Sequence, residues 1–387
     1  MDSIIPYGRQ CIEEDDIAEV VRVLQSPYLT TGPEVELFEK ALCEYTGAAF
    51  CVAVSSATAG LHIACEALGL KPGNEGITVP LTFAASANCI RYCGAEVKFC
   101  DINPSTWLMD PDALAQAVTE KTKVIIPVHY MGHCCDMRRI AEVASRGNIP
   151  VIEDASHAIG GSFEGGKIGA CRYSLMSVFS FHPVKNMTTG EGGAVLTNDR
   201  SLYKKLLFLR SHGITRDRAE LTHVEGPWYY EMQSLGYNYR ITDMQCALGR
   251  SQLKKIDRFL SRRREIAAEY TKALRGMPHI LTPPEEVNFL SGWHLYVIKI
   301  DFEKIKASRT ELFSFFRKND IILQVHYIPL HLMPYYGQCE GAFPHSEALY
   351  RDAVSLPLYP SLTEKQQRYV LETLMKFLEN SPGGHYE

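Results

Sequence analysis

The run Phe50-Cys51-Val52-Ala53-Val54-Ser55-Ser56-Ala57-Thr58-Ala59-Gly60-Leu61-His62 joins an unbroken apolar stretch to small residues and then to a helical pattern. Such a stretch predicts a strand buried on both faces. The small residues predict a turn into a helix over Thr58–Leu68. Six further runs repeat the theme: Gly76–Pro80, Glu96–Cys100, Lys123–Val128, Ile149–Glu153, Leu175–Phe181 and Gly193–Thr197. Helical patterns lie between them at Phe83–Tyr92, Pro111–Val118, Asp136–Ser145 and Ser201–Arg210. Asp110-Pro111 reads as an N-cap followed by proline at the first helical position. Strand and helix in alternation predict an α/β fold with a mostly parallel seven-stranded sheet, covered on both faces. Sites in such sheets form beyond the carboxyl ends of the strands.

Working outward, Ile214–Leu235 has no period and reads as a long loop. One long helix is expected over Asp243–Leu274, with Leu248, Leu253, Ile256, Leu260, Ile266, Tyr270 and Leu274 as its buried stripe. Gly276 and Pro278 end it. Strand-like Leu295–Ile300, a helix near Arg309–Arg317, strand-like Ile321–Tyr327 and a helix near Thr363–Leu378 suggest a smaller C-terminal α+β domain. At roughly 150 residues per domain, the expected division is a large domain at 1–250 and a small one at 251–387, with the first residues wrapping near the site.

Forty Lys and Arg against 45 Asp and Glu leave a net charge of −5, which argues against bulk binding to nucleic acid or anionic membrane. No stretch approaches the roughly 18 apolar residues of a membrane helix. Met1–Gln10 carry no basic segment followed by an apolar one, so a cytoplasmic location is expected. Twelve cysteines lack CxxC or zinc-ribbon spacing. They read as reduced core thiols, and no metal is expected.

Three stretches carry residue types that do chemistry. In Ser55–His62, small residues let backbone N–H groups approach an anion at a helix N-terminus. Read alone, the stretch is more simply an N-cap, and it is neither a Walker A loop nor GxGxxG. Val151-Ile152-Glu153-Asp154-Ala155-Ser156-His157-Ala158 ends a strand with two carboxylates. A carboxylate buried there needs a cationic partner, and a pyridinium N–H is one. His157 could support or cover such a ring; the plain alternative is helix capping by Asp154 with His157 at the surface. Phe179-Ser180-Phe181-His182-Pro183-Val184-Lys185-Asn186 sets a lysine just past an apolar strand, where lysine is rare. A desolvated lysine amine attacks carbonyl carbon; the alternative is a lysine snorkelling from the sheet edge. Thr188–Gly193 permits a tight reversal beside a ligand. In this order the stretches describe a phosphate cradle, an acid for a ring nitrogen and a lysine for an aldehyde. Pyridoxal 5′-phosphate (PLP) requires all three. Phe83, after the strand ending at Pro80, is set to stack on that ring.

Together with Ile5–Gln10, Leu29-Thr30-Thr31-Gly32-Pro33, Ile126–Gly132 and Gly236-Tyr237-Asn238-Tyr239-Arg240, these stretches resemble the DegT/DnrJ/EryC1/StrS family of sugar-nucleotide aminotransferases over nearly the whole chain. The resemblance implies a fold-type-I PLP enzyme with the aspartate-aminotransferase fold. It implies that Lys185 holds the cofactor, PLP or its amino form PMP, and later moves a proton. Asp154 would pair with the pyridine nitrogen, His157 would support the ring, and Phe83 would stack. Thr58, Ala59 and Ser180 would bind the phosphate. Asn238 would reach the phosphate held by a neighbouring subunit, which implies a homodimer. Some members carry histidine at the lysine position and dehydrate sugars, so Lys185 favours amino transfer. Pro183, where many members carry a small residue, departs from the pattern and bears on how Lys185 is presented.

Leu323–Pro329 and Arg210–Gly213 look most like the branch of the family that serves pseudaminic acid biosynthesis. That implies transfer from L-glutamate to the C4 keto group of UDP-4-keto-6-deoxy-N-acetyl-L-altrosamine. The implied substrate contacts are Tyr7, Tyr28, Leu29, Thr30, Thr31, Ala59, Ser180, Asn238, Gln324, Val325, His326 and Tyr327. Read alone, His326 and Tyr327 also suit ordinary strand packing. The alternatives are another UDP-4-keto sugar (4-keto-6-deoxy-GlcNAc or a 4-ketopentose) or a non-catalytic regulator that binds PLP or a nucleotide sugar. His129 and His133 do not make a metal pair, since Gly132 interrupts them and the HExxH glutamate is missing. Lys254, Lys255, Arg258, Arg262, Arg263 and Arg264 read as a solvated helix face.

Overall fold

Strands form at all seven apolar runs. In the computed structural model, which describes residues 4–285, 288–337 and 339–383, they are β1 (Phe50–Val54), β2 (Glu75–Thr78), β3 (Glu96–Phe99), β4 (Thr122–Ile126), β5 (Ile152–Asp154), β6 (Met176–Ser180) and β7 (Gly193–Thr197). Hydrogen bonds order them as β1-β7-β6-β5 and β3-β2-β4. Parallel bridges Ile125↔Val151 and Val128↔Asp154 set β4 beside β5, so the two groups form one seven-stranded layer. All strands run parallel except β7, which is antiparallel to both β1 and β6. The exception has a local cause. β6 and β7 are joined by a short reversal, with Phe181 N–H donating to Gly192 O and Thr189 N–H to Phe181 O, and not by a crossover helix.

Helices cover the sheet: α1 (Glu14–Leu24), α2 (Pro33–Thr46), α3 (Ala57–Ala67), α4 (Ala85–Tyr92), α5 (Pro111–Ala117), α6 (Met137–Arg146) and α7 (Arg200–Arg210). The sequence reading leaves α1 and α2 out. α2 opens on Gly32-Pro33 and stops at Gly47, whose φ of +87° suits a residue without a side chain. Gly60 of α3 sits where a Cβ would come within 3.1 Å of Val178 and Val195, so the missing side chain lets α3 lie close on the sheet.

The long C-terminal helix is two helices, α8 (Asp243–Lys254) and α9 (Ile256–Leu274). They part at Lys255, whose N–H takes the tighter partners Gln252 O and Leu253 O. Its ammonium is drawn to Asp15 (2.6 Å), Asp16 (2.8 Å) and Glu13 (3.3 Å) around the start of α1. The basic cluster is therefore only partly a solvated face: Lys254 and Arg258 are exposed, while Lys255, Arg262, Arg263 and Arg264 are partly or fully buried. Arg263 is completely buried and donates to the carbonyls of Trp293, His294 and Leu358. Arg264 donates to Gly160 O and Ser291 O, and Arg258 pairs with Glu13.

Strands β8 (Ile280–Leu281), β9 (Tyr296–Ile300) and β10 (Ala353–Leu356) form a separate antiparallel sheet, with α10 (Arg309–Lys318), α11 (Pro344–Asp352) and α12 (Glu364–Asn380) near it. An apolar cluster gathers Ile5 with Ile266, Tyr270, Ile298, Phe316, Val354 and Leu374. The expected strand at Ile321–Tyr327 does not form. Its backbone partners are split: Ile322 N–H donates to Ile5 O, while Gln324 and Ser355 exchange hydrogen bonds, so no continuous ladder develops. The result matters for the site, because Gln324–Tyr327 lies as an irregular wall and brings Tyr7 beside it. No helix among the described residues is long and apolar enough to cross a membrane.

Candidate active site

The carboxyl ends of β1, β5 and β6 open onto one cleft of about 720 Å³, within the range usual for small-molecule sites. After β1 the chain turns at Ser55 and Ser56 into α3. Ser56 is its N-cap, with Oγ accepting from Ala59 N–H at 3.1 Å, and Ala57 and Thr58 of the first turn line the cleft. This helix end lies close to the sheet because β7 starts with glycine: a Cβ on Gly193 would sit 2.5 Å from Ala57 N. Ser180, at the end of β6, lines the same region. An anion would meet a helix N-terminus and hydroxyls there.

Alternation along β5 separates its two acids. Glu153 points away from the cleft, to His129 Nε2 at 2.8 Å and the hydroxyl of Ser174. Asp154 points into it, buried. Its Oδ2 accepts from Ser86 Oγ at 2.6 Å and its Oδ1 from Ser156 N–H at 3.1 Å. Ser86 is held in turn by Thr82 at 2.8 Å. The carboxylate is thus oriented from two sides while it faces the cleft.

Lys185 reaches the cleft from the turn after β6, whose Lys185 N–H donates to His182 O at 2.9 Å and so closes across Pro183. Only part of the side chain is accessible. Burial pushes its pKa down from 10.5 to about 8, against the pull of Asp154. Three imidazoles surround it. His157 is buried and kept neutral, first by burial and then by Lys185. Its Nε2 lies 3.0 Å from Tyr327 Oη, and its Nδ1 has no hydrogen-bond partner among the described residues. His294 packs against His157 with ring centres 4.4 Å apart and the planes tilted by 48°, and it is also held neutral by burial. His326 is pushed down to about 3 by burial and contacts Ser355 Oγ at 2.8 Å and the Tyr7 ring at 5.3 Å. Tyr130 Oη donates to His326 O and ties this wall to the sheet. Phe83 stands 60% exposed at the mouth, 6.1 Å from Tyr327.

Of the residues singled out from sequence, Tyr7, Thr58, Phe83, Asp154, His157, Ser180, Lys185 and Gln324–Tyr327 line this cleft together. Ala59 stands behind its wall, buried in α3 with its N–H taken by Ser56. Tyr28, Leu29, Thr30, Thr31 and Asn238 are not in the lining. They lie on neighbouring segments: Asp243 N–H donates to Leu29 O, Thr30 bridges Thr242, and Asn238 bridges Ser211. Asp243 also caps α2 through Gly32 N–H (2.8 Å) and Glu34 N–H (2.9 Å). Sequence reasoning missed Ser86, Ser156 and His294. Ser86, one helical turn after Phe83, had a positional signal; His294 had none.

The residues present fit a PLP. A buried carboxylate faces the cleft with only neutral donors on it, a lysine of lowered pKa lies near, a helix N-terminus borders the opening, and an unpaired imidazole nitrogen adjoins them. Comparison with known proteins gives this arrangement a family. The profile of the DegT/DnrJ/EryC1/StrS aminotransferase family matches residues 10–375. Among relatives, the Bacillus subtilis spore coat polysaccharide biosynthesis protein SpsC is 38% identical over 97% of this chain and 98% of its own. The UDP-4-amino-4,6-dideoxy-N-acetyl-beta-L-altrosamine transaminase of Campylobacter jejuni is 37% identical over 99% of this chain and 100% of its own. Among solved structures, Helicobacter pylori PseC, an aminotransferase involved in the biosynthesis of pseudaminic acid, superposes with a TM-score of 0.89 at 31% identity, covering 97% of this chain and 99% of that one. A Streptococcus pneumoniae protein in its PMP form gives 0.89 at 32% identity, covering 95% and 98%, and its PLP form gives 0.88 at 32%, covering 96% and 97%. The chain belongs to the DegT/DnrJ/EryC1/StrS aminotransferase family.

Proposed function

We propose that this aminotransferase uses PLP to move an amino group from L-glutamate to the C4 keto group of UDP-4-keto-6-deoxy-N-acetyl-L-altrosamine. The observation that carries the reading is the convergence of Lys185, Asp154 and the wall Gln324–Tyr327 on one cleft. The altrosamine transaminase at 37% identity supports the choice of sugar. Relatives solved in PLP and PMP forms support the cofactor.

Bound PLP supplies an electron sink for charge on the substrate carbon and carries the amino group between the two substrates. Asp154, oriented by Ser86 and Ser156, holds the ring nitrogen protonated. Ala57, Thr58 and Ser180 receive the phosphate at the start of α3. Lys185 Nζ holds the cofactor between turnovers and then carries a proton to and from the substrate carbon; its pKa of about 8 leaves the neutral amine accessible near physiological pH. His157, braced by Tyr327 and kept neutral, orients the ring without adding a competing charge. Tyr7 and Gln324–His326 supply polar groups for the sugar.

Tyr28–Thr31 and Asn238, adjoining segments outside the chain's own cleft, complete the site of a second copy in a homodimer. The large and small domains divide near residue 250; the separate apolar cluster of Ile5 and residues 266–378 supports that division. We place the enzyme in the cytoplasm. The 38% identity to a spore coat polysaccharide protein favours, as a second reading, another UDP-4-keto sugar as acceptor. The test is a panel of UDP-4-keto sugars with L-glutamate, read by 2-oxoglutarate release and by NMR of the aminosugar. The altrosamine precursor should give the highest kcat/KM. Preference for a D-configured or pentose acceptor would replace the first reading with the second.

A further inference from the structure

A second cluster of ligand-type side chains lies apart from the cleft lining. His62 and Glu66 stand one turn apart on α3, at the i, i+4 spacing that puts them on one face. Cys93 closes the end of α4 against them. One donor atom from each lies within 4.8 Å of the others, and His62 Nε2 is 3.7 Å from Glu66 Oε1. His62 is 4% exposed, and its Nε2 is buried with no well-formed hydrogen bond among the described residues; the polar atoms it faces are the Cys93 thiol and the Glu66 carboxylate. An imidazole nitrogen left this way is costly unless something binds it. The other nitrogen, Nδ1, lies 3.1 Å from Tyr239 Oη, and donating there leaves the Nε2 lone pair pointing at the cluster. Tyr92, Tyr237 and Tyr239 pack round the ring at 4.7 to 5.9 Å.

We propose that His62 Nε2, Glu66 and Cys93 Sγ bind a zinc-class divalent cation, with a fourth position open on the Glu66 side. A thiolate, an imidazole and a carboxylate are zinc ligands and a poor set for calcium or magnesium. Two ligand atoms on one tetrahedral zinc stand about 3.3–3.7 Å apart, so the His62–Glu66 pair already has the spacing. The rest closes by a shift of about 1 Å, which Glu66 can make because its side chain is 29% exposed. The Cys93 thiol, which donates to Cys89 O at 3.3 Å, gives up its proton to solvent as the metal–sulfur bond forms. The Tyr239 hydroxyl fills the outer-shell role of orienting a ligating histidine. Tyr239 O also accepts from Ser55 N–H beside the cleft, so a metal here would brace α3 and α4 near the active-site loop. Sequence spacing does not reveal the trio, because its ligands come from one helix and the end of the next.

The test uses reduced, PLP-loaded protein titrated with Co²⁺. The expected result is one equivalent bound per chain, with tetrahedral d–d bands and a sulfur-to-cobalt charge-transfer band, all displaced by Zn²⁺. Cys93→Ser should abolish the charge-transfer band, and Glu66→Gln should keep it while weakening binding by about tenfold or more. The PLP absorption of each variant reports that it has folded; should Cys93→Ser fail to fold, Glu66→Gln carries the test. Wild-type protein without the sulfur band at saturating Co²⁺ overturns the proposal. A band unchanged by Cys93→Ser, or an affinity unchanged by Glu66→Gln, also overturns it.

Discussion

Replacing Lys185 with methionine should make the PLP-free protein more stable at neutral pH, at the expense of all turnover. The side chain keeps its length and loses its charge. Burial lowers the Lys185 pKa from 10.5 to about 8 even with Asp154 attracting it. At about 1.4 kcal/mol per tenfold change in proton affinity, that is about 3 kcal/mol against the folded state. Water in the open cleft screens part of it, which leaves about 2 kcal/mol. With about 2.1 cal/mol/K of unfolding entropy per residue over 387 residues, the melting temperature should rise by about 2–3 °C. The pH dependence is the sharper signature. Between about 8 and 10.5 the unfolded lysine binds a proton that the folded one does not, so wild-type stability rises through this window and the variant's advantage shrinks. Thermal unfolding of both PLP-free proteins, at matched concentration because association shifts apparent stability, measures the difference at pH 7 and pH 10. A variant no more stable than wild type at pH 7, or an advantage that grows toward pH 10, would refute the reasoning.

Asp154→Asn should retain PLP but lower kcat by about 10²-fold or more, the scale of removing one electrostatic partner from a reacting centre; steady-state kinetics with unchanged activity would remove Asp154 from the mechanism. Gly193→Ala should force α3 away from β7, since the new Cβ meets Ala57 N at 2.5 Å. It should cost about 1–3 kcal/mol in denaturant titrations and weaken PLP retention on dialysis. The rate of PLP uptake by cofactor-free enzyme should rise with pH and level off above about 8, because only the neutral Lys185 amine attacks the aldehyde; stopped-flow absorbance reads it, and a rate still climbing past pH 10 would mean that Lys185 is not desolvated.

The sheet was legible in the sequence because strands covered on both faces are largely apolar, as Phe50–Val54 is throughout and Met176–Ser180 is apart from two buried serines. The direction of β7 was not, because an apolar run carries no sense of direction. What failed were features decided by distant partners. Lys255 ends a helix because three carboxylates more than 200 residues earlier draw on it. Arg263 lies buried with its Nη1 shared among the carbonyls of Trp293, His294 and Leu358, partners 30 or more residues away in sequence. The same holds in the cleft. Lys185 and Asp154 stand out because a lysine and an acid past apolar strands are unusual. Ser86 and His294 gain their meaning only when the fold sets one on Asp154 and the other on His157. Glu153 and Asp154 look alike in sequence, and the alternation of β5 alone sends one to His129 and the other to the cleft.

The most direct test of the central claim is the visible absorption spectrum of the purified, PLP-loaded protein before and after L-glutamate, with Lys185→Ala alongside. The expected result is a lysine-bound PLP band that moves to shorter wavelength with release of one 2-oxoglutarate per site, returns on addition of the keto sugar, and is absent or unresponsive in the variant. A wild-type band that L-glutamate does not change, or a Lys185→Ala protein that responds as wild type does, would contradict it.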